Sequence, residues 1–253
     1  MELQYVSTRD ASEVVSASQA ILKGLANGGG LFVPTFIPKL DVSLEDLSKM
    51  TYQQTAYEVM KLFLTDFTKE ELENCINRAY DAKFDTEEIA PLVYADGAYY
   101  LELFHGSTIA FKDMALSILP HLMITSARKN QIKNDIVILT ATSGDTGKAA
   151  LAGFAGVEGT KIIVFYPKDG VSPIQKQQMV TQTGDNTLVV GIDGNFDQAV
   201  DNAAHLAADL LKRYHLSISD VKQHGDFTSK NCPEHLREGD NYQQFLKKIK
   251  EYL

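Results

Sequence analysis

Apolar and polar positions follow two rhythms along these 253 residues. Over the first eighty or so the rhythm is helical. Residues 11–26 carry apolar positions at helical spacing and end in Asn27-Gly28-Gly29-Gly30, a stop and turn signal. A second helical stretch, 43–64, opens on Ser-Leu-Glu-Asp, which reads as a capping box; a third, 67–82, takes Thr68 as its cap. Between the first two, Gly-Leu-Phe-Val-Pro-Thr-Phe-Ile-Pro reads as an extended apolar loop. From about residue 90 short apolar runs alternate with helical patterns. Strands are expected at 97–104, 136–140, 161–166 and 187–192, with helices at about 112–129, from near Thr146, and at about 172–183. Continuous apolar strands separated by helices imply an α/β fold, a parallel sheet with helices on both faces. The chain then divides into a mostly helical region (1–88), the α/β portion (89–197) and a helical tail (198–253). The tail holds an amphipathic helix near 196–213 and a last helix from about 240.

In parallel sheets ligands bind beyond the carboxyl ends of the strands, which points to the loop after residue 140. That loop is Thr142-Ser143-Gly144-Asp145-Thr146-Gly147. Its two glycines permit close backbone approach, the adjoining helix start favours anions, and the hydroxyls of Thr142, Ser143 and Thr146 add donors. A carboxylate or anion cradle and a simple cap by Asp145 or Thr146 both fit this string. The other candidate is Lys112, between Phe111 and Asp113, after a Gly-Ser-Thr turn and before an apolar helical pattern. A lysine there is either a solvated helix-start residue or an amine pushed toward neutrality by the helix end and its apolar neighbours. In the neutral form it is a nucleophile for carbonyls.

Composition narrows the partners. Hydrophobic residues make up 44% of the chain, enough for a sizeable core in one large or two modest domains. A net charge of −9 argues against nucleic acid and anionic membrane. There is no run of membrane-span length, and Met1-Glu-Leu-Gln-Tyr lacks the pattern of a secretory signal. Two cysteines, Cys75 and Cys232, argue against a disulfide framework and fit a reducing cytoplasm.

Taken together, the two motifs are specific. Phe104-His-Gly-Ser-Thr-Ile-Ala-Phe-Lys-Asp113 and Thr142-Ser-Gly-Asp-Thr-Gly-Lys-Ala-Ala150 closely resemble threonine synthase, a pyridoxal-phosphate enzyme of the tryptophan-synthase-β fold type (fold type II). The segments Tyr5-Val-Ser-Thr-Arg-Asp10, Gly28-Gly-Gly-Leu-Phe-Val-Pro34 and Phe165-Tyr-Pro-Lys-Asp-Gly-Val-Ser172 match as well, so the resemblance runs from residue 1 to about 197. It implies that Lys112, beside Phe111, holds the cofactor and shuttles protons, and that Thr142, Ser143, Gly144, Asp145 and Thr146 bind the substrate's α-carboxylate. The implied reaction converts O-phospho-L-homoserine, a small amino-acid phosphate, and water to L-threonine and phosphate. Lys168 is a further candidate for the substrate phosphate. The family's Gly-Asn-Phe-Gly loop for the cofactor phosphate does not occur, since Gly194-Asn195-Phe196 is followed by Asp197. The resemblance therefore implies an incomplete parallel sheet, weakened cofactor binding and impaired activity, each lost charge-assisted hydrogen bond costing roughly 1.5–3 kcal/mol.

The tail has its own likeness. Gln223-His-Gly-Asp-Phe-Thr-Ser-Lys-Asn-Cys-Pro233 is similar to the end of a zinc-dependent N-acetylmuramoyl-L-alanine amidase. That resemblance implies zinc on His224 and Cys232, with Lys230 assisting. The chain then reads as the first part of one family joined to the last part of another near 193–199, and a non-catalytic chimera is a third reading. The apolar stripe of the 196–213 helix is expected to cover part of the sheet or to mediate self-association.

Overall fold

The computed structural model describes residues 2–142, 144–194, 196–221 and 241–253. Its centre is a parallel sheet of three strands in the order β6-β7-β8: β6 Ile136–Ala141, β7 Thr160–Pro167 and β8 Thr187–Ile192. Alternation along the strands sorts the side chains onto two faces. Ile162, Val164 and Tyr166 of β7 face a core with Ala149, Ala150, Leu151 and Phe154 of α7 (Asp145–Phe154) and Met179 of α8 (Pro173–Val180). Phe165 and Ile192 turn to the other face, where Ala203 of α9 (Phe196–Tyr214) meets them. Each fully buried Ile, Leu or Phe side chain contributes about 1.5–3 kcal/mol. The parallel α/β sheet with flanking helices is thus as the apolar runs imply.

The tail helix covers the sheet. Ala204, Ala207, Ala208 and Leu211 of α9 enclose Leu139 of β6, together with Ile249, Phe245 and Leu246 of the last helix, α10 (Asn241–Tyr252). A row of alanines lets a helix approach the strands closely, so the stripe is used in packing within the chain. Among the described residues, no helix is long and apolar enough to cross a membrane.

Before the sheet, β1 (Tyr5–Ser7) pairs antiparallel with β2 (Val14–Val15) and β3 (Phe32–Pro34). The helices there are α1 (Ala17–Lys23), α2 (Leu44–Leu47), α3 (Tyr52–Phe63) and α4 (Lys69–Ala79). Two helices expected from periodicity are shorter. The 11–26 stretch yields only α1, because Val14 and Val15 pair with Val6 and Tyr5, and Ser16 caps the helix beginning at Ala17. The 43–64 stretch breaks at Thr51, whose capping box with Gln54 starts α3 afresh. Thr68 caps α4 as expected, and the 30–38 loop contributes β3.

The expected strand at 97–104 is half of a hairpin, β4 (Leu92–Ala95) with β5 (Ala98–Leu101), separate from the parallel sheet. Asp96 and Gly97 both have positive φ, 49° and 81°, as a two-residue type I′ turn requires. The hairpin is exposed on both faces, Tyr99 at 71%. The expected helix at 112–129 is two: α5 (Asp113–Leu116) and α6 (Leu119–Lys129). Pro120 has no N–H to donate, so it fits the first turn of a new helix and not the middle of an old one.

A second core joins these parts. Cys75, Ile76 and Ala79 of α4 pack with Tyr80, Phe84, Ile89 and Ile118, and with Met114 and Leu122 at its edge. Cys75 is a buried free thiol, 3.4 Å from the Thr125 hydroxyl, and burial pushes its pKa up. His121 of α6 is 7% exposed, and its Nδ1 has no hydrogen-bond partner. Burial, then the Arg78 and Lys83 charges, push its pKa down to about 4. The folded value lies below the unfolded one near 6.5, so the stability from a neutral His121 is complete above about pH 6.5 and is lost as pH falls toward 4. A displacement of that size corresponds to about 3 kcal/mol at its limit. The urea midpoint should fall between about pH 6.5 and pH 5, above most carboxylate titration, and His121→Leu should flatten that segment; parallel profiles would show that His121 titrates normally.

Candidate active site

The lysine motif lies on the turn between β5 and α5. Asp113, 3% exposed, closes this turn: its carboxylate accepts from the Thr108 N–H and the Thr108 hydroxyl, both at 2.7 Å. Gly106 lies directly against it, where an added Cβ would sit 2.5 Å from that of Asp113, so only glycine fits. From the other side the Tyr80 hydroxyl donates to the Met114 carbonyl at 2.8 Å. Lys112 is therefore followed directly by two residues, Asp113 and Met114, that these contacts hold in place.

Lys112 itself occupies the cap position of α5, with its Nζ 4.8 Å from the centre of the Phe111 ring. The setting differs from the expectation: α5 is one turn long, and so short a helix supplies little of the dipole that would push the amine toward neutrality. Upstream, His105 is clamped by two carboxylates, Nδ1 2.5 Å from Asp85 and Nε2 2.9 Å from Glu102, and stacks on Phe104. The Glu102 contact, then the Asp85 contact, raise the ring's pKa. The folded value exceeds the unfolded one, so the clamp is complete below about pH 6.5 and loosens as pH rises through the raised pKa.

The second motif leaves the carboxyl end of β6. Thr142 is buried, and its hydroxyl braces the loop from within, accepting from the N–H groups of Gly144 and Gly147 and donating to the Gly144 carbonyl, each at 3.1 Å. That hydroxyl shapes the cradle and is not spare for a ligand. Asp145 and Thr146 stand in the first turn of α7, where the helix offers their N–H groups no acceptor. The cap position of α7 falls on Gly144, which has no side chain, and the Thr142 hydroxyl takes the Gly147 N–H of the first turn. Ser143 lies outside the described residues.

Asp145 gathers the site. Its Oδ1 accepts from the Gln175 amide at 2.8 Å and lies 3.4 Å from Lys148 Nζ. The Gln175 bond, opposed by desolvation, and then the charges of Lys148 and Lys112 hold its carboxyl below the ordinary range. The Lys148 ammonium also donates to the Thr108 carbonyl at 3.1 Å, which joins the start of α7 to the turn that carries Lys112. Lys148 and Gln175 carry this juncture, and periodicity gave no sign of either. Gln175 was visible only as the fourth residue of a Ser172 capping box. Lys168, the further phosphate candidate, pairs with Asp193 at 2.8 Å. Beside the site is a cleft of about 250 Å³ lined by Ser107, Thr108, Gln178, Thr181, Gln182 and Thr183. A larger cleft, about 530 Å³, lies between α3 and α4 near Tyr57, Glu58 and Glu73, away from both motifs.

Comparison with known proteins shows the family. The threonine synthase N-terminus family matches residues 4–80, and the pyridoxal-phosphate-dependent enzyme family matches residues 87–226. The chain belongs to the latter family, and its first part matches the threonine synthase N-terminus. It is 37% identical to threonine synthase of Schizosaccharomyces pombe, over 85% of this chain and 44% of that one. Threonine synthase of Saccharomyces cerevisiae is 36% identical over 78% of this chain and 41% of its own length. Among solved structures, pyridoxal-phosphate-bound threonine synthase from Brucella melitensis superposes with a TM-score of 0.74 at 33% identity, covering 85% of this chain and 47% of that chain. The yeast enzyme gives 0.72 at 35% identity, over 82% and 43%. The chain therefore spans less than half the length of these relatives. The family match continues to residue 226, past the join placed near 193–199, so the first part of the tail lies within this family's span. His224, Lys230 and Cys232, the residues of the amidase likeness, lie outside the described residues.

The residues present fit the cofactor in part. The Lys112 amine stands beside the Phe111 ring, and Lys148 joins the start of α7 to the same turn, which suits a carbonyl-bearing ligand beside a carboxylate. Because the buried Asp113 carboxylate sets the lysine's position, Asp113→Ala should cost about 2–4 kcal/mol in urea unfolding, two buried donors losing their acceptor. A loss under about 0.5 kcal/mol would show that the turn holds without it.

Proposed function

We propose that this chain holds pyridoxal phosphate through Lys112 and receives the α-carboxylate of O-phospho-L-homoserine on the Thr142–Thr146 loop, as part of the threonine synthase reaction. The observation that supports this reading is the Lys148 ammonium, which donates to the Thr108 carbonyl of the lysine turn at 3.1 Å and lies 3.4 Å from Asp145 of the loop. Bound pyridoxal phosphate supplies an electron sink for carbanion chemistry on the amino acid. Lys112 would hold the cofactor through its amine, and its Nζ would carry protons. The N–H groups of Asp145 and Thr146 orient the carboxylate, and Phe111 offers an aromatic face beside the amine. These 253 residues hold no Gly-Asn-Phe-Gly string for the cofactor phosphate, so the chain by itself binds the cofactor weakly and turns over slowly. The same reading places it in the cytoplasm, with Cys75 as a free thiol.

The test is direct. Incubation with pyridoxal phosphate should give a visible absorbance band, and borohydride reduction should fix the cofactor's mass on the peptide containing Lys112. Lys112→Ala should abolish both. Equal spectra for wild type and variant would sink the proposal, whereas a band without phosphate release from O-phospho-L-homoserine would leave cofactor capture standing and remove turnover by this chain alone. Zinc on His224 and Cys232, with Lys230 assisting, is a separate proposal resting on sequence likeness; its test is stoichiometric zinc that disappears in His224→Ala.

A further inference from the structure

A loop read as a carboxylate cradle here carries a carboxylate of its own. Asp145 stands in the first turn of α7, half exposed, and ionised at neutral pH because its neighbours stabilise the anion. At a few ångströms its charge opposes any second anion on the adjacent N–H groups, and in a partly desolvated site this repulsion outweighs the attraction of one helix end. The Gln175 amide is neutral and cannot cancel it.

The compensating charge is Lys148. It follows Asp145 by one helical turn, is 8% exposed, and directs its ammonium back along α7, 3.4 Å from the Asp145 carboxylate. The same ammonium donates to the Thr108 carbonyl at 3.1 Å and to Gln178 Oε1 at 2.8 Å. Thr108 is the residue held by Asp113, so the cation is fixed by the turn that carries Lys112, by α8 and by α7 together. A lysine tail left in water would lose rotamer freedom on pairing and be screened by salt. This one is ordered before any ligand arrives.

We propose that Lys148 is the fixed counter-ion of Asp145, making the Thr142–Gly147 loop accept a carboxylate it would otherwise repel. This rests on the reading of the loop as the carboxylate site. Lys148 acts through Asp145 and touches no ligand, its hydrogen bonds being made within the protein. It is therefore a charge-compensating residue that tunes which ligands the loop takes: amino acids with a free carboxylate over their amide analogues.

The probe pair is L-threonine and L-threoninamide, which differ at the carboxylate, titrated into the full chain and followed by NMR. Wild type should prefer L-threonine. Lys148→Met should weaken L-threonine at least about tenfold while changing L-threoninamide less than about threefold. Adding Asp145→Asn to Lys148→Met should restore most of the preference, because the repelling charge leaves with its counter-ion; a merely structural lysine would give no such rescue. Lys148→Gln, which keeps donors for Thr108 and Gln178 but loses the charge, should behave like Lys148→Met and decides the matter if that variant does not fold. Equal weakening of both probes, or no rescue by Asp145→Asn, overturns the proposal and leaves the carboxylate site intact. No preference for L-threonine in wild type overturns the carboxylate reading itself, and the counter-ion role with it.

Discussion

The site depends on one buried carboxylate. Asp113 is almost wholly removed from water, and such a group is tolerated only when its oxygens are hydrogen-bonded. Thr108 satisfies both, with its N–H and its hydroxyl, and so closes the chain from Gly106 to Asp113 into one fixed turn. Lys112 has no choice of place once Asp113 is satisfied. The Thr108 carbonyl, left pointing the other way, takes a hydrogen bond from Lys148, which leads to Asp145 and the anion loop. A chain of polar contacts, each burying a group that would otherwise be costly, thus ties lysine and cradle together.

Packing supports this from two sides. The core around Tyr80 and Ile118 presses the α4 region onto α5 and α6, and the sheet core around Ile162 and Leu151 seats α7. The tail helices matter for a different reason. A three-stranded sheet with one bare face would expose Leu139, Ile163 and Phe165, and α9 lays its alanine row there. Among the described residues the hairpin β4–β5 receives no such cover on either face, though it leads into the lysine motif. The exposed apolar side chains of the hairpin, Leu92, Tyr99 and Leu101 among them, thus adjoin the lysine motif.

How much of this was legible in the sequence varied with the range of the forces involved. The parallel strands were plain, because continuous Val and Ile runs need burial on both sides and admit few alternatives. The lysine turn and the anion loop were legible as motifs. The hairpin and the break before Pro120 carried local signals, Asp96-Gly97 and the proline itself, that periodicity overrode. Val14 and Val15 gave no local sign, since only pairing with Tyr5 and Val6 takes them out of a helical pattern. Lys148 and Gln175 were equally silent, because their roles arise from contacts across 40 and 30 residues.

By itself the sequence determined the fold class, the elements of the sheet and the residue types that carry chemistry, all of which arise from short-range patterning of burial and turn residues. The tertiary structure decided which of those residues meet. It joined the Lys112 turn to Asp145 through Lys148, turned the Thr142 hydroxyl inward, gave the loop its counter-ion and set α9 on the sheet. The reason is physical: hydrophobic burial is encoded by pattern, but a charge's effect depends on distance and on the water excluded between partners, and neither exists until the chain has folded.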